Sequence, residues 1–208
     1  MNMRMYLPPE AGGFTLSPRS ITPYPPLGFI PFQEHELGNG DVYGLYWAIG
    51  REDQSPLVFV TYHDEWGVGP NYSSVEAFLR VAGRVQEHEF VPDPDPSEDP
   101  DSPTLLTREA RERQRDGKLD EAMQLIQRAL TILPEFTEAR VLLLSHLRRL
   151  RRIPEACGAA VEAIRSPRSL GDATPAASWL ARQPPVGEMS GDPIFANRAQ
   201  ISLAFGGV

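Results

Sequence analysis

The chain has 208 residues, of which 41% are hydrophobic, with a formal net charge of -8 and a pI of about 5.1. That length suits one large domain or two small ones, and the apolar fraction is too high for a wholly disordered chain. An acidic chain is repelled by phosphate backbones, and no window approaches the ~20 apolar residues of a membrane span, so neither nucleic acid nor membrane is an expected partner.

Three zones follow one another. Residues 1–90 hold most of the aromatics and glycines, residues 91–103 read VPDPDPSEDPDSP, and residues 104–208 are rich in Ala, Leu, Arg and Glu. In the first zone, residues 1–40 show no strong period and are expected to be irregular. LYWAIG at 45–50 and PLVFVTYH at 56–63 are apolar, aromatic and β-branched, and the polar REDQS between them predicts a hairpin. HDEWGVGPNYSS is expected to leave the sheet. Ser73 or Ser74 then caps a helix, SSVEAFLRVAGRV, that sets Val75, Phe78, Leu79 and Val81 or Ala82 on the sheet. The second zone reads as an acidic, proline-rich linker, because prolines favour extended backbone and its carboxylates repel one another.

The third zone repeats. Gly117-Lys-Leu-Asp-Glu-Ala122 through Ala129-Leu-Thr-Ile-Leu-Pro134 aligns with the stretch that begins at Arg151, pairing Ala122 with Ala156 and Ala129 with Ala163. Alanines seven apart share one helix face and let a neighbouring helix come close. Helices are expected at 105–115, 119–131, 137–149 and 153–165. This spacing of the alanines, with Gly117 in the turn and Pro134 after the second helix, resembles the tetratricopeptide repeat family, whose period is about 34 residues. The resemblance implies paired helices that bind a protein or peptide. Members that clamp a C-terminal carboxylate use Lys and Asn where this chain has Thr107, Arg111 and Leu142, so that clamp is not expected. The second copy departs from the pattern with Arg151 in place of the glycine. TPAASWLARQ and DPIFANRAQISLAF read as a degenerate cap.

In the first zone, Gly38-Asn39-Gly40-Asp41, the aromatic strand Tyr43 to Trp47, Pro56 to His63, and Ser73 to Leu79 come in an order that resembles the SUKH superfamily of Smi/Knr-like domains. The two helices with which that family opens are missing here. Together the resemblances imply an α+β fold: a small antiparallel sheet module with a helix over 1–90, the linker over 91–103, then an all-α helical-hairpin domain over 104–208. Bacterial SUKH members are commonly immunity proteins that neutralise toxins, and none of that needs catalytic residues or a cofactor. The single lysine, Lys118, beside 19 arginines suggests a GC-rich, bacterial genome. The N-terminus lacks the apolar run of a signal peptide, so the expected compartment is the cytoplasm.

The dense aromatics Tyr43, Tyr46, Trp47, Tyr62 and Trp66, with Asp41, Asp64 and Glu65 beside them, are candidate partner contacts, since alternate strand residues face away from a core. The same residues are internal if loops or helices cover both faces of the sheet. Arg148, Arg149, Arg151 and Arg152 either complement a helix C-terminus or form a second site, for an acidic partner or the chain's own acidic segment. His63, Asp64 and Glu65 could ligate a metal, but adjacent strand residues point to opposite faces, so no metal site is expected. Cys157, the single cysteine, reads as a packed thiol and excludes an intrachain disulfide. The expected function is non-enzymatic binding of another protein, a basic toxin domain by preference. The alternative is a repeat-based adaptor or a regulatory ligand-binding protein.

Overall fold

A computed structural model describes residues 13–16, 28–33, 40–62, 67–86, 89–185 and 191–206. It has an α+β fold that divides into two compact units, residues 1–102 and 103–208.

In the first unit, β1 (Phe29–Pro31), β2 (Val42–Tyr46), β3 (Leu57–Thr61) and β4 (Val68–Tyr72) form an antiparallel sheet in sequence order. The hairpin of β2 and β3 lies where the apolar, aromatic and β-branched runs on either side of REDQS predict it, although β2 starts earlier than expected and ends before Trp47. Two strands depart from expectation. β1 pairs with β2 inside the stretch expected to be irregular. β4 pairs with β3 through Val68, Gly69 and Tyr72, where Gly69-Pro70 reads as a turn. Proline is tolerated on an edge strand, and a register shift between Val58 and Val60 accommodates the irregular backbone.

Helix α1 (Val75–Ala82) follows, its start fixed by Ser74, whose Oγ accepts the Ala77 N–H at 3.1 Å. Phe78, Val81 and Ala82 bury against Tyr43, Leu45, Val58, Val60 and Tyr72. Leu79, expected on the sheet, is 50% exposed, and Ala77 is buried instead.

The acidic proline segment is not a free linker. Its backbone is bound to the sheet as a strap. The Tyr43 hydroxyl donates to the Val91 carbonyl and accepts the Val91 N–H, both at 3.0 Å. Tyr72 reaches the Val91 and Pro92 carbonyls. Further along, Asn71 Nδ2 donates to Asp93 at 2.7 Å, and Ser102 Oγ donates to the Asn71 carbonyl at 2.6 Å. Asp99, only 2% exposed, accepts the Ser73 N–H at 2.7 Å and the Ser73 hydroxyl at 2.5 Å. Arg84 pairs with Glu98, and Arg80 donates to the Glu98 carbonyl. The expectation of an extended spacer fails because these donors offset the mutual repulsion of the carboxylates. The strap also occupies polar groups at the end of β4, an edge strand that would otherwise present them to other chains.

In the second unit, α2 (Pro103–Arg115) and α3 (Leu119–Ile132) form one hairpin, and α4 (Thr137–Arg149) and α5 (Ile153–Arg165) form another. All four of the repeated alanines, Ala122, Ala129, Ala156 and Ala163, are fully buried. The repeat extends to the turns. Lys118 N–H bonds the Arg113 carbonyl at 2.9 Å, and at the equivalent place in the second hairpin Arg152 N–H bonds the Leu147 carbonyl at 3.0 Å. This is the six-residue closure that ends a helix through a left-handed residue. Gly117 supplies that residue at φ +78°, and Arg151 does so at +57°. A methyl group on Gly117 would meet no atom within 4 Å, so Gly117→Ala isolates backbone strain. It should cost about 1 kcal/mol of stability in urea unfolding; an unchanged midpoint would mean that the turn does not need its left-handed backbone.

Beyond α5, α6 (Thr174–Leu180), α7 (Pro193–Ala196) and α8 (Arg198–Ala204) occupy the stretch read as a cap. Trp179, Leu180 and Phe195 close the end of the core formed by Ala156, Ala160 and Leu147. Cys157 is buried in the same core, and burial pushes its thiol pKa up.

Candidate functional site

The sheet's aromatics are inside. Tyr43 and Tyr46 are fully buried and Trp47 is 5% exposed. Alternation does send them to opposite faces, but both faces are covered. Tyr43 lies against Phe78 with ring centroids 5.1 Å apart. On the other face Tyr46 stacks on Phe59 at 4.3 Å, and the Phe29 ring fills the space above Gly44. Desolvation by burial drives the phenols of Tyr43 and Tyr72 well above the ordinary tyrosine pKa, so both stay protonated donors. Tyr43, Tyr46 and Trp47 are therefore corrected from partner contacts to core. Tyr62 is half-buried against that core, and Asp41 is 9% exposed. Trp66, Asp64 and Glu65 lie outside the described residues, as do His63 and Gly38-Asn39. Among the described residues no group of three His, Cys, Asp or Glu side chains is placed to hold a metal ion, and no helix is long and apolar enough to cross a membrane.

With Tyr43, Tyr46, Trp47 and Tyr72 interior and Phe90 44% exposed, the first unit still presents mainly charge. Residues 1–102 hold sixteen carboxylates against five arginines, an excess of eleven negative charges. Glu52, Asp53, Glu76 and Glu89 are exposed. Residues 103–208 hold fifteen Lys and Arg against twelve carboxylates, a net of +3. The overall acidity therefore belongs to the first unit, a division that total charge conceals.

The arginine cluster sits where α4 turns into α5. Arg148 lies over the Trp179 ring, 5.5 Å from its centroid. Arg149 Nη1 donates to the Gln114 carbonyl at 2.8 Å, at the C-terminal end of α2. This is the helix-end role that the sequence allows. Arg152 pairs with Glu155. Arg151 forms no ion pair among the described residues and is exposed. The segment 91–102, one candidate occupant of this cluster, instead directs Asp93, Glu98 and Asp99 to Asn71, Arg84 and Ser73. At the positions compared with the carboxylate clamp, Thr107 donates to the Pro103 carbonyl at 2.8 Å and Arg111 pairs with Glu138 at 2.5 Å.

A buried histidine lies beneath the cluster. His146 has no exposed surface, and its Nδ1 is 3.1 Å from Gln114 Nε2, whereas its Nε2 meets no partner among the described residues. Burial first, then the charges of Arg149 and Arg152, lower its pKa below the ordinary 6.5. The unfolded chain therefore takes up a proton more readily than the folded one. Stability is complete above about pH 6.5 and falls as the pH drops from there through the folded pKa. Urea midpoints measured between pH 7.5 and 5 should decline in the wild type and decline less in His146→Leu; equal declines would exclude His146 as the source.

These features define a protein of two charge-distinct units: a strapped antiparallel sheet that is strongly acidic and a helical-hairpin unit that is mildly basic. Residues 15–90 match the family model described as the YfbP N-terminal domain. The chain is also similar to the Escherichia coli (strain K12) protein named "Uncharacterized protein YfbP", at 40% identity over 147 residues, which is 68% of this chain and 50% of that protein. The chain thus spans about half the length of the curated relative it matches. No solved structure matches it.

Proposed function

We propose that the chain is a non-enzymatic protein-binding protein whose first unit, a SUKH-like module, neutralises a basic toxin domain in the bacterial cytoplasm. The observation that carries this reading is the first unit's excess of eleven negative charges, combined with the inward turn of Tyr43, Tyr46 and Trp47. A partner meets carboxylates, which steer a cationic surface at long range and repel wrong partners. Glu52, Asp53 and Glu76 are exposed carboxylates of the first unit that such a partner can reach. Co-expression with each effector encoded beside the gene tests the idea. Rescue of growth that is lost on reversing Glu52, Asp53 and Glu76 to lysine supports it, and failure to protect against any of these effectors sinks it.

A second reading, an adaptor of the tetratricopeptide type, is favoured by the turn geometry that recurs at Gly117 and Arg151, at equivalent places in the two hairpins. The two readings separate on where a captured partner sits. Crosslinks confined to residues 1–102 exclude the adaptor, and crosslinks confined to residues 103–208 exclude the toxin-binding module.

A further inference from the structure

We propose that the turn between α4 and α5, Arg148 to Ile153, docks an acidic segment of another protein that carries an apolar anchor. The first indication is backbone strain with an internal control. Gly117 and Arg151 hold equivalent positions in the two hairpins, with the same closing hydrogen bonds and left-handed φ. A side chain with a Cβ costs of order 1 kcal/mol or more at such a φ, and the first hairpin avoids that with glycine. The second hairpin keeps an arginine that gains no ion pair among the described residues. Strain retained without an internal ion pair points to a side chain used externally.

The neighbours give that side chain a setting. Arg148 is steadied on Trp179 and Arg149 on the Gln114 carbonyl, so two guanidinium groups are held in place beside Arg151. A preorganised planar fork loses less entropy on gripping a carboxylate. Arg152 is neutralised by Glu155, so the surface rests on three arginines. Among them Leu150 and Ile153 are 38% and 37% exposed, in a turn that polar residues could fill. Cations around exposed aliphatic groups match a segment in which acidic residues flank a leucine, valine or phenylalanine. Charge complementarity with three arginines in a unit of net charge +3 selects an acidic occupant, and exposed Leu150 and Ile153 select one with an aliphatic or aromatic anchor, which a phosphate backbone lacks. The chain's own acidic segment is already committed to the sheet.

The test uses the full chain and a fluorescent array of Asp/Glu-rich peptides, each with one Leu, Val or Phe, read by anisotropy at low salt. A short single-stranded RNA and phosphatidylserine vesicles serve as competing probes. Arg151→Gly removes the cation and relieves the strain, so its melting temperature should hold or rise while peptide affinity falls about tenfold. A purely structural arginine would give the stability change without the loss of affinity. The proposal is overturned if no peptide binds, if Arg151→Gly binds as well as wild type, or if RNA or vesicles bind in preference. Concentration-dependent self-association abolished by Arg151→Gly would also overturn it, because the occupant would then be a second copy.

Discussion

Phe78→Ala will cost the first unit about 3–5 kcal/mol, the largest loss expected of any single truncation in the sheet module. Phe78 is fully buried and is the hub of its aromatic core, with ring centroids 5.1 Å from Tyr43, 5.2 Å from Tyr72 and 5.7 Å from Phe32. Truncation removes these ring contacts and leaves a cavity walled by a sheet, which relaxes less easily than a loop. A small domain holds only about 5–15 kcal/mol in total, so the variant should show a clearly lowered urea midpoint. Hydrogen exchange should rise in β2 and β3, which carry Tyr43, Val58 and Val60 under that ring. Phe78→Leu keeps most of the volume and should lose markedly less. A loss below about 1 kcal/mol for the alanine variant would show that the sheet is held together elsewhere.

Why some of this is legible in the sequence and some is not comes down to the range of the forces involved. Helices α2 to α5 are legible because a local period, buried small residues and Gly117 all report on contacts within one or two turns. Helix α1 is legible from Ser74 and Phe78 for the same reason. β4 is not, because Gly69 and Pro70 carry a local turn signal that pairing with β3 overrides. The covering of Tyr46 is equally illegible. Strand alternation states that it faces away from Tyr43, but whether that face meets water depends on Phe29 and Phe59 arriving from other strands. The basic cluster is visible as four arginines, yet the groups that steady it, the Gln114 carbonyl and the Trp179 ring, come from α2 and α6, far from the turn in sequence. The strap is the least legible. Its acids and prolines describe an isolated chain, and the groups that bind it, on Tyr43, Asn71, Tyr72, Ser73, Arg80 and Arg84, come from β2, β4 and the region of α1, outside the segment itself.

Asp99→Ala should therefore have an effect out of proportion to its place in a segment that looks like solvent-exposed filler. Asp99 is 2% exposed and accepts two bonds from Ser73, one from the amide at 2.7 Å and one from the hydroxyl at 2.5 Å. It also accepts the Asp101 N–H at 3.3 Å. Hydrogen bonds to an ionised group contribute about 1.5–3 kcal/mol net, and a buried donor left unpaired adds its own desolvation cost. Alanine should thus destabilise the first unit by about 2–4 kcal/mol. Asp99→Asn keeps an acceptor oxygen and should recover part of that loss. The distinguishing readout is local. If the strap is integral, hydrogen exchange in Asp99→Ala rises along residues 91–102 and in β4, where Asn71 and Tyr72 hold the strap, because the loss of one anchor loosens the others. If the segment is only a spacer, Asp99→Ala leaves both the urea midpoint and exchange in β4 unchanged. The control is Asp95→Ala: Asp95 is exposed and its carboxylate bonds within its own turn, to Ser97, so that variant should leave β4 exchange at the wild-type rate. A matching rise in both variants would trace the effect to lost negative charge rather than to the Ser73 contacts. A rise in Asp99→Ala alone makes the strap a structural part of the acidic module, whose surface any partner must then meet with the segment in place.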